Sequence, residues 1–376
     1  MKNAHFIGVV MLCCTLANLQ NTVFAQTGSP SAASDSLEPK TSAVPKVSFK
    51  GYVEGYMAID QNRPAGQNRP LFYNFNRERE LTVNLAFVEI AGSTENLRFK
   101  FTPAFGTYMQ ANYAAEPEGF RYLFETNAGV RLNAKRSIWL DAGVLPSPFG
   151  FEGAVNLLQN NLTRSLSGEN SPYYLSGARL SFPLGSRTMV NLFVVNGWQN
   201  IRETNRDKSF AVQVQHQVSE QLLLNYTGYV GNERANTDST PGTAYRSFHD
   251  FYATYKATDR LSLVALFDFG TQNGYADKTS FWHTANVTAR IKLHAKLSAS
   301  LRAEYYSDPK RVLVFLPEED ATLTGGSAGL NYGITDQVLL RVESRILTAG
   351  KDVFADAKGM PSKTYVFNTA ALSVYF

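Results

Sequence analysis

The sequence predicts an all-β protein, a closed antiparallel transmembrane β-barrel of about sixteen strands. Three observations predict it. The chain is rich in aromatic residues but poor in charged ones. Apolar and polar residues alternate from residue 47 onward, and short connections alternate with long ones along the chain. Of 376 residues, 44% are hydrophobic, 12% aromatic and 18% charged. A disordered chain would carry more charge and fewer aromatic residues. A helical membrane protein would need apolar runs of about 18 residues, which are missing after residue 25.

Residues 1–25 have the features of a cleaved signal peptide. A lysine at position 2 precedes an apolar core over residues 6–16 and a cleavage site with small residues at 23–25. Both cysteines, Cys13 and Cys14, lie in this segment, so the mature chain would have no disulfide in an oxidising compartment. The residues before Cys13 are too large for a lipid-attachment site.

Residues 26–46 are rich in Ser, Ala and Pro and show no apolar periodicity, which predicts a flexible periplasmic leader before a barrel over residues 47–376. The formal net charge of +4 is small for this length, so no nucleic-acid partner is expected.

The alternation is clearest near the C-terminal end of the chain. Leu297, Ala299 and Leu301 alternate with Ser298, Ser300 and Arg302, which gives a strand one apolar and one polar face. A soluble β-sandwich would show the same alternation. Two features favour the barrel over the sandwich: charged residues occur in the middle of the polar faces, and short connections alternate with long ones.

Seven short connections alternate with eight long ones, which predicts sixteen strands. The short ones are residues 92–96, 133–136, 183–187, 218–220, 257–260, 294–296 and 335–337. The long ones are residues 60–79, 109–119, 146–173, 199–207, 232–246, 272–280, 307–321 and 349–363. An even strand number leaves both ends of the barrel on the short-turn side, as in bacterial outer-membrane barrels, so the long loops are expected to be extracellular.

The last residues, 370–376, are apolar at every second position and end in Phe376. This pattern is similar to the C-terminal signature of outer-membrane barrels. It predicts that the barrel-assembly machinery reads the last strand and that outer-membrane lipid surrounds the apolar faces.

Several segments resemble the putative β-barrel porin-2 (OmpL-like) family of Gram-negative outer membranes. They include residues 68–87, 106–117, WLDAGVLPSPFGFE at 139–152, LTRSLSGENSPYYLSGARL at 162–180, VNGWQ at 195–199, FHDFY at 248–252 and RAEYYSDP at 302–309. The PFGFE segment also resembles, to a smaller extent, phosphate-selective porins. The resemblance implies a porin-like pore for small hydrophilic solutes, and its similarity to sixteen-strand porins implies a homotrimer.

The third long loop, residues 146–173, is expected to narrow the pore, because in sixteen-strand porins the loop after the fifth strand folds inward. Its charged residues Glu152, Arg164 and Glu169 are candidates for the constriction, with Lys100 and Arg121 on the wall opposite. An alternative stays open, in which Arg164 and Glu169 pair with each other and only fix the loop.

The alternation also places a set of charged residues on the wall of the lumen. A cation facing lipid at mid-depth would cost roughly 2–4 kcal/mol, so the inward assignment is favoured. The set is Arg98, Arg131, Arg290, Lys292, Arg302, Glu304, Arg341, Glu343 and Arg345. These charges either select solutes or neutralise one another and stiffen the barrel.

We therefore expect a passive outer-membrane diffusion channel that is not an enzyme and uses no cofactor or metal. A structural or adhesive barrel is the first alternative, and conductance separates the two. A barrel hydrolase is the second, but no nucleophile motif accompanies His216, His249, His283 or His294. The acidic residues 318–320 could bind calcium or simply be solvated.

Overall fold

The structure is a computed structural model that describes residues 46–236, 242–275 and 278–376. The predicted signal peptide and almost all of the predicted leader lie outside the described residues. The first strand begins at Lys46.

Eighteen strands are described. Their bounds are β1 Lys46–Asp60, β2 Thr82–Ser93, β3 Leu97–Phe105, β4 Leu123–Asn133, β5 Ile138–Pro146, β6 Tyr174–Pro183, β7 Thr188–Val195, β8 Ser209–Gln217, β9 Leu222–Asn232, β10 Tyr245–Lys256, β11 Leu261–Tyr275, β12 Lys278–Lys292, β13 Leu297–Ser307, β14 Thr322–Gly333, β15 Val338–Ala349, β16 Phe354–Ala355, β17 Pro361–Ser362 and β18 Thr364–Tyr375.

Sixteen of these strands, β1–β15 and β18, form one closed antiparallel barrel, which confirms the predicted fold class. Each barrel strand pairs with the next one along the chain, and β18 pairs with β15 and closes on β1. At the seam Phe376 also exchanges two backbone hydrogen bonds with Gly51, at 2.7 and 3.0 Å. A side chain at Gly51 would collide with the Phe376 ring, since a Cβ there would lie 2.1 Å from it. Closure leaves no strand edge unpaired in lipid.

The connections carry little regular structure. Short helices cover Thr107–Asn112 and Leu166–Glu169, and 3-10 turns cover Ala65–Gln67, Glu118–Phe120 and Asn156–Leu158. The strands β16 and β17 form a small separate pair in the last long loop. Among the described residues no helix has the length and apolarity to cross a membrane.

The two faces of the barrel wall differ as the alternation predicts. On β15, Val342 and Ile346 are exposed on the outer face, whereas Arg341, Glu343 and Arg345 are buried on the inner face. On this strand the charged side chains therefore face the bore and the apolar side chains face outward.

Two parts of the predicted pattern are wrong in detail. The sixth long loop was expected at residues 272–280, but β11 continues to Tyr275 and β12 begins at Lys278. The pairing extends because backbone groups can pair above the membrane whatever the polarity of the side chains. Arg121 was expected on the wall opposite the third long loop, but the fourth strand, β4, begins only at Leu123. Arg121 lies in the second long loop, exposed, and its Nε donates to the carbonyl of Glu116 at 2.7 Å.

Candidate functional site

The third long loop, residues 147–173, lies inside the bore, as predicted. Its first part is fastened to the inner face of β8–β10. The carbonyl of Pro148 accepts hydrogen bonds from Gln213 Nε2 at 3.1 Å and Thr227 Oγ1 at 2.9 Å. The N–H of Gly150 donates to Asp250 Oδ2 at 3.0 Å. The loop therefore leaves β5 and first contacts a wall several strands away.

The middle of the loop reaches β15, where Arg341 holds its backbone. The Arg341 guanidinium donates to the carbonyls of Asn156 at 2.5 Å, Asn160 at 3.0 Å and Gln159 at 3.2 Å. Its Nε donates to Asn331 Oδ1 on β14 at 2.5 Å. Backbone carbonyls thus take the place of a carboxylate partner for this guanidinium, which is only 1% exposed.

Thr163 is bonded to charged wall residues on two strands. Its N–H and Oγ1 donate to the Glu343 carboxylate at 2.9 and 2.8 Å. Its carbonyl accepts from Arg302 at 2.7 Å, and its Oγ1 accepts from Arg345 at 3.1 Å. Arg302 also pairs with Glu343 at 2.8 Å. Three wall charges on β13 and β15 therefore converge on one loop residue.

Further contacts extend this attachment to neighbouring strands. Leu166 N–H donates to Glu304 Oε2 at 2.8 Å, and Glu304 pairs with Arg345 at 2.5 Å. Asn286 on β12 donates to Ser167 Oγ at 2.6 Å, and Asn156 donates to Glu54 on β1 at 2.8 Å. The loop is consequently bonded to opposite parts of the wall and crosses the bore.

The three charged residues predicted for the constriction, Glu152, Arg164 and Glu169, are buried within this arrangement. Glu152 accepts hydrogen bonds from the N–H and Oγ of Ser165, and its Oε1 lies 3.6 Å from Arg302. Arg164 stacks on the ring of Tyr173, 3.5 Å from its centroid. Among the described residues Arg164 and Glu169 form no direct ion pair.

Glu169 joins the third long loop to the first, residues 61–81. Its Oε2 accepts from the N–H of Tyr73 and from the Tyr173 hydroxyl, both at 2.8 Å. Burial raises the pKa of the Glu169 carboxyl above its ordinary value, and the nearby Arg164 charge and the two hydrogen bonds oppose that rise.

The first long loop covers the third from the long-loop end, which sequence reasoning missed. Phe72 packs in one apolar cluster with Leu166 and Phe367. Arg69, fully buried, pairs with Asp60 at 2.6 Å and lies 4.1 Å from the centre of the Phe367 ring. The abundance of Arg, Asn and Phe in this segment was its only sequence signal.

The wall at the short-turn end is more open. Lys100 on β3 pairs with Glu125 at 3.1 Å and Glu89 at 3.3 Å, and its side chain remains 31% exposed. Among the described residues Lys100 makes no hydrogen bond or ion pair with the third long loop, and Arg121 lies on a different connection, the second long loop.

The remaining predicted wall residues lie on or near this end. Arg131 donates to the turn residues Ala134 and Ser137, Arg290 donates to Ser298 Oγ at 3.2 Å, and Lys292 is exposed at the end of β12. Arg98 pairs with Asp141 and shares it with Arg179. The alternation of β6, in which Gly177, Arg179 and Ser181 share one face, was a sufficient signal for Arg179, which sequence reasoning missed.

The described residues contain no group of three or more His, Cys, Asp or Glu side chains placed to hold a metal ion. Of the acidic residues 318–320, Glu319 pairs at the surface with Lys310 and Arg311, and Asp320 lies 3.9 Å from Lys310.

Comparison with known proteins places this architecture in context. The family model described as "Putative beta-barrel porin-2, OmpL-like" matches residues 46–376. No curated protein matches the sequence.

Solved structures with the same fold share little sequence with the chain. An anion-selective porin from Comamonas acidovorans aligns with a TM-score of 0.60 and 9% identity, covering 89% of this chain and 100% of that one. The outer membrane channel DcaP of Acinetobacter baumannii aligns at 0.58 and 10%, covering 90% and 99%. OmpT of Vibrio cholerae in its trimer form aligns at 0.58 and 10%, covering 89% and 100%. At these identities the likeness shows the fold alone.

Proposed function

The chain belongs to the putative β-barrel porin-2, OmpL-like family, and from this premise we propose that small hydrophilic solutes and ions diffuse passively through its charged aqueous bore. The family and the fold make it a porin-like barrel of the outer membrane. The proposal adds that the bore conducts and that no chemical step accompanies passage.

One observation carries the proposal. The third long loop crosses the bore and is hydrogen-bonded to the wall: its backbone carbonyls accept from Arg341, and its Thr163 donates to Glu343. Such a loop narrows a channel because it occupies part of the bore. Its polar backbone and the charged wall make the remaining passage hydrophilic. A barrel that served only as a scaffold would have no need of a polar loop bonded on both sides of its lumen.

The constriction in this proposal is the space between the loop and the wall strands. Glu152, Arg164 and Glu169 act there by holding the loop, and Arg302, Glu304, Arg341, Glu343 and Arg345 hold it from the wall. Lys100 contributes charge to the vestibule at the short-turn end, which in this proposal is periplasmic.

Three further features complete the proposal. Residues 1–25 direct export and are cleaved, and residues 26–46 form a leader. The last strand, β18 with Phe376, is recognised during barrel assembly. Three copies associate, as in the trimer form of OmpT that shares the fold.

Planar-bilayer recording of the purified protein tests the proposal. We expect discrete current steps that grow with salt concentration and show no dependence on an added hydrolysable substrate. A closed barrel, recognised by its heat-modifiable migration in gels, that inserts but carries no current would contradict the proposal and favour the structural or adhesive barrel.

A further inference from the structure

Two arginines share one carboxylate in the wall of the bore at the short-turn end. The strand registers place Arg98, Gly129, Asp141 and Arg179 in a single row across β3, β4, β5 and β6. Arg98 reaches across Gly129 to Asp141. Glycine is required between them, because a Cβ at position 129 would lie 2.2 Å from Asp141 Oδ1.

The carboxylate holds both guanidinium groups in fixed positions. Arg98 donates from Nε to Asp141 Oδ1 and from Nη2 to Oδ2, each at 2.6 Å. Arg179 donates from Nη2 and Nε to Asp141 Oδ2 at 3.1 and 3.3 Å. The ring of Trp139 supports Arg98, whose Cζ lies 4.3 Å from the ring centroid. Asp141 is buried, with 1% of its side chain exposed, and both of its carboxylate oxygens accept hydrogen bonds from these guanidinium groups.

The arrangement keeps one positive charge in excess. Two guanidinium groups face one carboxylate, and no second acid lies within ion-pair distance of either among the residues described. The Nη1 of each arginine donates to no described protein atom, and the Arg98 and Arg179 side chains remain 28% and 14% exposed. Two sets of donors therefore point to the bore from fixed positions.

Arg131 lies near this pair but differs from it. Its guanidinium donates to the Ala134 carbonyl at 2.9 Å and Ser137 Oγ at 3.1 Å, so it is occupied by its own turn. Arg131 raises the positive potential of this end of the bore without contacting Asp141. It is thus a matched control for charge without the paired geometry.

We propose that Arg98 and Arg179, held by Asp141, form a binding site for a small oxyanion such as phosphate in the bore. Planar guanidinium groups match the oxygen edges of phosphate, sulfate and carboxylate, and a fixed pair loses little freedom on binding. The inference rests on the proposed function, since it assigns a class of solute to the same bore.

Calorimetric titration of the full-length barrel in detergent with inorganic phosphate at low salt tests the site. Saturable binding is expected, with sulfate and acetate competing and chloride at equal ionic strength not competing. Arg98→Gln and Arg179→Gln should each weaken phosphate binding about tenfold or more, the loss of a charge-assisted pair of hydrogen bonds. Arg179→Lys should weaken it too, because a lysine lacks the two-pronged geometry.

Arg131→Gln should bind phosphate as the parent protein does. If it weakens binding as much as Arg179→Gln, general positive potential explains the anion and the site is refuted. Non-saturable binding to the parent protein refutes it without any variant. Heat-modifiable migration in gels shows which variants form a closed barrel. If Arg179→Gln does not form one, the phosphate binding of Arg98→Gln decides the test. Because calorimetry does not depend on current, binding without conductance would refute the proposed function alone, and conductance without binding would refute this site alone.

Discussion

Glu343 has three hydrogen-bond donors around one buried carboxylate. Arg302 Nη2 and both donors of Thr163 lie 2.8–2.9 Å from it. A buried charge that loses one partner of such a pair costs roughly 3–5 kcal/mol, whereas removing both partners costs less than the two single losses together. The pair therefore predicts strong energetic coupling.

Glu343→Gln and Arg302→Met should each lower the free energy of unfolding in detergent by roughly 3–5 kcal/mol. The double variant should lose clearly less than the sum of the two, because neither member of the Arg302–Glu343 pair then remains as a buried charge without the other. Chemical denaturation of the four proteins measures this coupling. Additive losses would show that the two groups do not depend on each other.

Single residues on the outer and inner faces of the barrel wall should tolerate a charge differently. Leu301 is 48% exposed on the lipid side of β13, whereas Thr254 on β10 faces the bore. Leu301→Arg should impair assembly by roughly 2–4 kcal/mol, since a cation at mid-depth faces hydrocarbon. Thr254→Arg should assemble normally. Comparison of the heat-modifiable fractions checks this, and equal defects would contradict the assigned facing.

Among the elements, the third long loop receives three hydrogen bonds on its backbone carbonyls from Arg341, and we expect this side chain to be its main attachment. Each hydrogen bond from a charged donor contributes roughly 1.5–3 kcal/mol, and Arg341 gives three to loop carbonyls. Arg341→Met should free the middle of the loop while the strands stay paired. The expected results are larger and noisier current steps and faster proteolysis within residues 154–165.

Arg131→Met is the control for that change, because Arg131 donates to residues of the short turns and makes no described hydrogen bond to the third long loop. If Arg341→Met leaves both conductance and proteolysis like those of Arg131→Met, the loop is held by other contacts and Arg341 is not its main attachment.

The strands and the third long loop also show which parts of the structure can be predicted from the sequence. Alternation predicted the strands and the facing of Arg302, Glu343 and Arg345, because a period of two follows directly from strand geometry. It could not predict that Arg341 holds the Asn156 carbonyl 185 positions away, since loop conformation depends on contacts with no local signature. The predicted role of Glu152, Arg164 and Glu169 at the narrowest level stays a prediction.

For the whole molecule, the even strand number places all long connections at one end of the barrel. An epitope tag in residues 233–236 should be labelled on intact cells, and one in residues 257–260 should not. The reverse labelling would show that the barrel is inserted the other way.

The central claim for the molecule is that the loop in the bore limits a passive flow. Single-channel conductance of the purified protein and of a variant with residues 153–165 replaced by a short Gly-Ser linker tests it most directly. We expect small, discrete steps for the parent protein and several-fold larger steps for the variant, with both barrels closed. Equal conductance in the two proteins, or no current from either closed barrel, would contradict the claim.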